Sequence, residues 1–205
     1  MATASLSKFT VPLATDQSAS AQGLLMPKLK FRFRVTFENF GVDPATTELT
    51  KQVMNFTRPK LSFEEIIIPV YNSKIYLAGK PTWETVTVTM RDDASGGVSK
   101  RVGEQMQKQF DFMEQSSASS GIDYKFITKL EVLDGGNGAN QVNVLETWEL
   151  YGCYISNADY GDADYSTNDP MTIALTIRYD NAVQTPEETG IGSTVARTLG
   201  VTTTG

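Results

Sequence analysis

The sequence predicts a mainly β fold with one helix, and three observations carry that prediction. Residues 28–38 alternate strictly between apolar and polar side chains; shorter alternating runs recur along the chain; and one stretch, 98–113, switches to helical spacing. Period two places successive side chains on opposite faces of a strand, whereas spacings of three and four line one helix face.

In the first strand Leu29, Phe31, Phe33, Val35 and Phe37 alternate with Lys28, Lys30, Arg32, Arg34, Thr36 and Glu38. That strand has one apolar and one mainly basic face. A loop with Gly41 and Pro44 follows, then a strand over 49–57. Residues 63–70 contain Ile66-Ile67-Ile68, a β-branched run too short to favour helix, and Pro69 places it at a sheet edge or beyond the sheet. The triplet Tyr71-Asn72-Ser73 turns the chain back along 74–78. Such a hairpin leaves an apolar patch on a monomer, the usual mark of a partner surface.

Residues 83–91 alternate again. Val98, Val102, Met106, Phe110 and Met113 then line one face of a helix, expected to pack on the core, to end near Gln115 and to be capped by Asp93 or Ser95. Stretches 125–133, 142–156 and 170–181 read as strands, with the glycine-rich loop 134–140 as a turn. Seven or so strands and one helix therefore form a single domain, 28–181, between an N-terminal arm, 1–27, and a C-terminal arm, 182–205.

A chain of 205 residues with 40% apolar content can bury one sizeable core. No apolar run approaches the ~20 residues of a membrane-spanning helix. The N-terminus lacks the basic start and apolar stretch of a secretory signal. The lone cysteine, Cys153, rules out an internal disulfide and fits assembly in the cytoplasm; its apolar surroundings predict a buried thiol. There is no histidine, which removes histidine-based triads, the common zinc ligand sets and the near-neutral proton shuttle. No catalytic, cofactor-binding or metal-ligating residue is assigned, and an enzyme is not expected.

Charge is unevenly spread. Residues 1–130 carry 16 basic and 13 acidic groups, whereas residues 131–205 carry 2 and 11. Basic Lys28, Lys30, Arg32 and Arg34 and acidic Asp159, Asp162 and Asp164 are candidates for electrostatic contact between copies. The alternative is a solvated acidic loop system that aids solubility. Residues 159–169 are rich in oxygen ligands, but their spacing misses the EF-hand pattern and ordinary turns are expected. Asp92 and Asp93 are adjacent on a strand and face opposite ways, so they do not form a glycosidase pair.

Three stretches together resemble the tail-tube proteins of contractile-tailed bacteriophages: the hairpin from Ile68 through Lys74-Ile75 and Ala78-Gly79 to Trp83; the run from Thr85 to Asp93 leading into the helix; and Glu149-Leu150-Tyr151-Gly152, the Asp-Tyr loop and the strand closing on Arg178-Tyr179-Asp180. The likeness covers roughly 28–181. It implies two packed antiparallel sheets forming a barrel-like sandwich with a flanking helix and a protruding hairpin. It also implies homohexameric rings, stacked into a hollow tube that passes DNA without specific binding. Sheath, baseplate and tail-terminator proteins would be the partners, and the virion tail, assembled in the host cytoplasm, the location. In that setting Ile66, Ile68, Val70, Tyr71, Ile75, Tyr76 and Leu77 become contacts between rings, and the arms reach neighbouring subunits or the sheath. The tube of a secretion or contractile injection machine shares this architecture. A β-sandwich that binds carbohydrate through Tyr151, Tyr160 and Tyr165 is the alternative from another class.

Overall fold

The computed structural model describes residues 28–42, 47–134 and 142–185. The chain divides into two units, Met1–Arg32 and Phe33–Gly205. In the first, Arg32 donates its backbone N–H to the Leu29 carbonyl at 3.2 Å, and its guanidinium lies 5.4 Å from the Phe31 ring centroid. This local turn replaces the expected strand start. Residues 28–32 are thus not part of the ladder, and the strand begins at Phe33.

The second unit opens with β1 (Phe33–Glu38), α1 (Thr47–Gln52) and β2 (Val53–Phe56), and β3 (Leu61–Val70) with β4 (Ser73–Trp83) then form a hairpin. β5 (Val86–Arg91), α2 (Gly97–Gln109), β6 (Phe110–Asp111), β7 (Ser116–Ser117) and α3 (Gly121–Tyr124) follow. The chain closes on β8 (Phe126–Leu133), β9 (Val144–Asp159), β10 (Thr172–Arg178) and β11 (Asn181–Thr185). The main sheet runs β1-β8-β9-β10-β5-β2, with β11 also on β9, and the pairs are antiparallel.

β9 organises the fold because it changes partners along its length. Its first half pairs with β8 and β11, and its second half with β10. Two half-sheets result, and their inward residues meet in one core. Val35, Phe37, Leu130, Trp148 and Leu150 come from one half, and Val86, Val88, Met90, Ile173, Leu175 and Ile177 from the other. A mainly β, sandwich-like architecture follows, open rather than closed into a barrel. Phe37, Phe40 and Phe126 pack mutually within it, the latter two edge-to-face at 4.9 Å.

Several expected elements differ. Residues 47–52 form a helix, not the start of a strand, because Thr-Glu-Leu-Thr-Lys-Gln buries only Leu49 among its described side chains and shows no alternation. The helix expected to run to about Gln115 ends at Gln109. Phe110 has extended backbone and opens a two-residue ladder with Ser117, so Phe110 and Met113 leave the core face and are exposed. Val98, Val102 and the part-buried Met106 keep it, joined by Gln105. That glutamine accepts from the Gly41 N–H at 2.9 Å and donates to the Tyr124 carbonyl at 2.6 Å. Gln109 likewise bonds both the N–H and the carbonyl of Ile155, each at 2.9 Å, so α2 is stitched to the sheet by side-chain amides. Paired strand continues through Thr185, past the boundary expected at 181. Residues 1–27, 135–141 and 186–205, which hold most of both expected arms and of the glycine-rich loop, lie outside the described residues.

Candidate assembly surface

The β3–β4 hairpin pairs with no other strand among the described residues. Nine residue pairs join it, from Leu61↔Trp83 to Val70↔Ser73, and Tyr71-Asn72 makes a two-residue turn. Its register shifts at Glu64, which bulges toward Gly79; a Cβ at Gly79 would lie 2.8 Å from the Glu64 carbonyl oxygen, so only glycine fits.

The base of this hairpin is anchored. Trp83 packs on Tyr179 with ring centroids 5.7 Å apart, and the Glu84 N–H donates to the Lys60 carbonyl at 3.0 Å. Next to it Arg58 donates to Glu146, whose side chain is only 4% exposed. Glu146 also accepts from Trp148 Nε1 at 2.6 Å and Gln184 Nε2 at 2.9 Å, tying the hairpin base to β9 and β11. Among the described residues, the arms of the hairpin pack on nothing comparable. Ile66, Ile68, Val70, Tyr71, Ile75, Tyr76 and Leu77 are all exposed, Tyr71 fully. Ile67, in the middle of the same run, is 51% exposed and belongs with them; its place between two isoleucines was the visible signal.

Of the charged candidates, Lys28, Lys30 and Arg32 lie in the first unit. Arg34 is engaged within its own chain: it stands directly opposite Glu131 on β8 and donates to that carboxylate, which raises the guanidinium pKa. Beside it Lys129 bonds Glu38 at 2.8 Å and Glu149 at 3.4 Å, and Tyr151 donates its hydroxyl to Glu149. This charged row across β1, β8 and β9 escaped the sequence reading because its partners come from three separate strands. Asp159, Asp162 and Asp164 sit at the end of β9 and in the exposed stretch after it. Asp159 accepts from the Gly161 N–H, and Asp164 from the Ser166 N–H and hydroxyl, so both shape turns. Among the described residues no three carboxylate, thiol or imidazole groups gather as a metal site. Neither Asp93 nor Ser95 is the N-cap of α2: that position is Gly96, which has no side chain to cap with, while Asp93, in the turn before it, accepts from the Gly97 N–H at 2.7 Å, which lowers its pKa.

No family model and no curated protein matches this sequence. Solved structures do. A chain in the sheath/tube terminator of an extracellular contractile injection system, PVC, superposes with TM-score 0.58 and 12% identity, covering 79% of this chain and 99% of that one. This chain shares that fold. A chain in the tube-terminating cap of the anti-feeding prophage gives TM-score 0.56 at 13% identity, covering 82% of this chain and 97% of that one. A chain in the same prophage's baseplate gives 0.54 at 14%, over 78% and 97%. At these identities the likeness is one of fold. Within that shared fold, the anchored hairpin is the element that pairs with no other strand among the described residues.

Proposed function

We propose that this chain is a structural subunit that assembles into stacked hexameric rings, forming the hollow inner tube of a contractile bacteriophage tail. DNA passes through it to the host cell, and the subunit has no catalytic role. Sheath, baseplate and tail-terminator proteins are its partners in the virion, and assembly takes place in the host cytoplasm. One observation supports the reading: a fold shared with tube-terminator and cap chains, whose apolar hairpin is fixed at its base and covered by nothing among the described residues. A monomer holding that surface in water loses the hydrophobic free energy that association would recover.

Negative-stain microscopy of the concentrated full-length chain, with light scattering against concentration, tests this. Smooth hollow tubes or rings are expected, and a chain that stays monomeric at all concentrations and beside purified baseplate refutes it. The inner tube of a contractile injection machine is the second reading, favoured by the injection-system chains that share the fold. Mass spectrometry of purified particles, with and without packaged DNA, separates the two.

A further inference from the structure

β9 is the longest of the described strands, and its two sides are not covered alike. β8 flanks one side from Val144 to Cys153, whereas β11 and then β10 flank the other from Thr147 to Asp159. On the β8 side, residues 154–159 therefore have no strand beside them among the described residues. That open edge runs about 20 Å. Such an edge is a template for a further strand, and every copy of the chain carries one.

A side chain fills the first position of the edge. The Gln109 amide accepts from the Ile155 N–H and donates to the Ile155 carbonyl, each at 2.9 Å. A residue on an antiparallel neighbour exchanges that same pair of bonds with the residue opposite it. Gln109 thus stands where a strand residue would stand. It is the last residue of α2 and is held from behind, because its own carbonyl accepts from the Ala118 N–H at 3.3 Å. Gln105, one turn earlier, directs its amide elsewhere, to Gly41 and Tyr124.

The surroundings favour a strand at this edge. Phe110 and Phe112 pack edge-to-face at 5.3 Å, and with Met106, Gln109 and residues 155–158 they line a hollow of about 180 Å³. An added strand would extend the ladder and place an apolar side chain in that hollow. A second copy of 154–159 is such a strand. Run antiparallel about Asn157, it sets Asp159 of one copy against Ile155 of the other, so no two carboxylates face each other. Beyond Ile155 the edge is only partly blunted: Ser156 and Asn157 are exposed and uncharged, with a register shift at Ser156 and a single charge, Asp159, at the end.

We propose that Gln109 is an edge guard, the residue that keeps copies of this chain from pairing through β9. With this edge closed, the outer edges of β1, β2 and β11 are those left open to a neighbour's strand, so Gln109 sets which contacts between copies are available. The guard acts on the free chain, below the concentrations at which tubes grow, and stands apart from the tube reading.

Gln109→Met in the full-length chain keeps the side-chain length and removes both bonds. Gln105→Met removes two bonds of the same kind from a buried site but leaves the β9 edge guarded, so it controls for lost stability. At concentrations where wild type is dispersed, sedimentation should show Gln109→Met associating at least tenfold more readily in concentration than Gln105→Met. A benzophenone photocrosslinker at 157 should give adducts within 154–159 of another copy in Gln109→Met and none there in wild type. Adding Asn157→Lys, a charge on the edge, should return Gln109→Met to the dispersed state without raising its melting temperature. Equal association of the two glutamine variants, adducts elsewhere, or association that survives Asn157→Lys overturns the guard. So does a wild-type adduct within 154–159 of another copy. Gln109→Asn, which withdraws the amide by one methylene, repeats the test where Gln109→Met fails to fold. A wild-type chain that never assembles removes the tube reading and leaves the guard standing.

Discussion

Gly152 and Asp180 compete for the same space: a Cβ on Gly152 would overlap the Asp180 carboxylate. Gly152 adopts φ +68° where β9 passes from Tyr151, paired with β11, to Tyr154, paired with β10. Asp180 cannot simply swing away, because Lys125 holds its carboxylate at 2.6 Å and its N–H donates to the Tyr151 carbonyl. Gly152→Ala therefore meets both a left-handed backbone and a steric clash, and should cost about 2–4 kcal/mol in urea unfolding. Adding Asp180→Gly removes the clash but not the backbone strain, and its own loss of the Lys125 ion pair is measured in the single variant, so the double-mutant cycle should show coupling of about 1 kcal/mol or more. Additive effects would mean the two residues do not share that space.

The Arg34 contact reassigns a charge that the sequence suggested for assembly. Arg34→Glu places two carboxylates opposite each other on β1 and β8, and should destabilise the folded chain by up to about 1 kcal/mol, since the pair is partly exposed. Arg34→Glu with Glu131→Arg restores the pair and should restore the melting temperature. If the swapped chain is stable but no longer assembles, Arg34 also acts between copies.

How much of this was legible beforehand depended on whether a signal was local. Alternation revealed β1 from Phe33, β5 and β10, because one side of each faces the core. The hairpin was legible from Ile66-Ile67-Ile68 and the turn after Val70. Leu29 and Phe31 misled because they continue the alternation into a segment that turns. Phe110 and Met113 misled because helical spacing persists after the backbone has turned extended. The Glu146 cluster and the Gln105 and Gln109 stitches were not legible. Their partners are distant in sequence, and only the folded sheet brings them together.

The buried Glu146 carboxylate accepts from Arg58, Trp148 and Gln184, so its loss takes that acceptor from the buried Trp148 indole N–H and the part-buried Gln184 amide, whereas Arg58 is largely exposed to water. Glu146→Ala should destabilise by about 3 kcal/mol. Arg58→Met, which leaves the other two donors in place, should cost less. Guanidinium denaturation of both variants checks the order; equal losses would mean that Arg58 dominates the cluster.

Cys153 gives a pH-dependent readout of the core. Burial pushes its thiol from an ordinary value of 9.0 up to about 11, and its Sγ donates to the Leu150 carbonyl. The unfolded chain releases that proton first, so the contribution is fully present below pH 9 and is lost as pH rises through about 11. Tyr179, also raised by burial, to about 12, adds to the decline at still higher pH. Unfolding free energy should fall above pH 9, and Cys153→Ser should flatten the first part of that fall. Thiol alkylation of the folded chain at pH 8 should be slow; rapid labelling would place Cys153 at the surface.

The hairpin separates folding from assembly. Its anchor, Trp83 against Tyr179, lies at the base, and the exposed arms add nothing to the buried core. Replacing residues 65–78 with a short glycine-rich turn should leave unfolding free energy within about 1 kcal/mol of wild type, as expected for a change confined to the surface. Solubility should rise, because this exposed aliphatic cluster is gone. Tube growth should stop in the same preparation. A large fall in melting temperature would instead show that the arms support the fold, and that their apolar residues stabilise the monomer before any neighbour arrives.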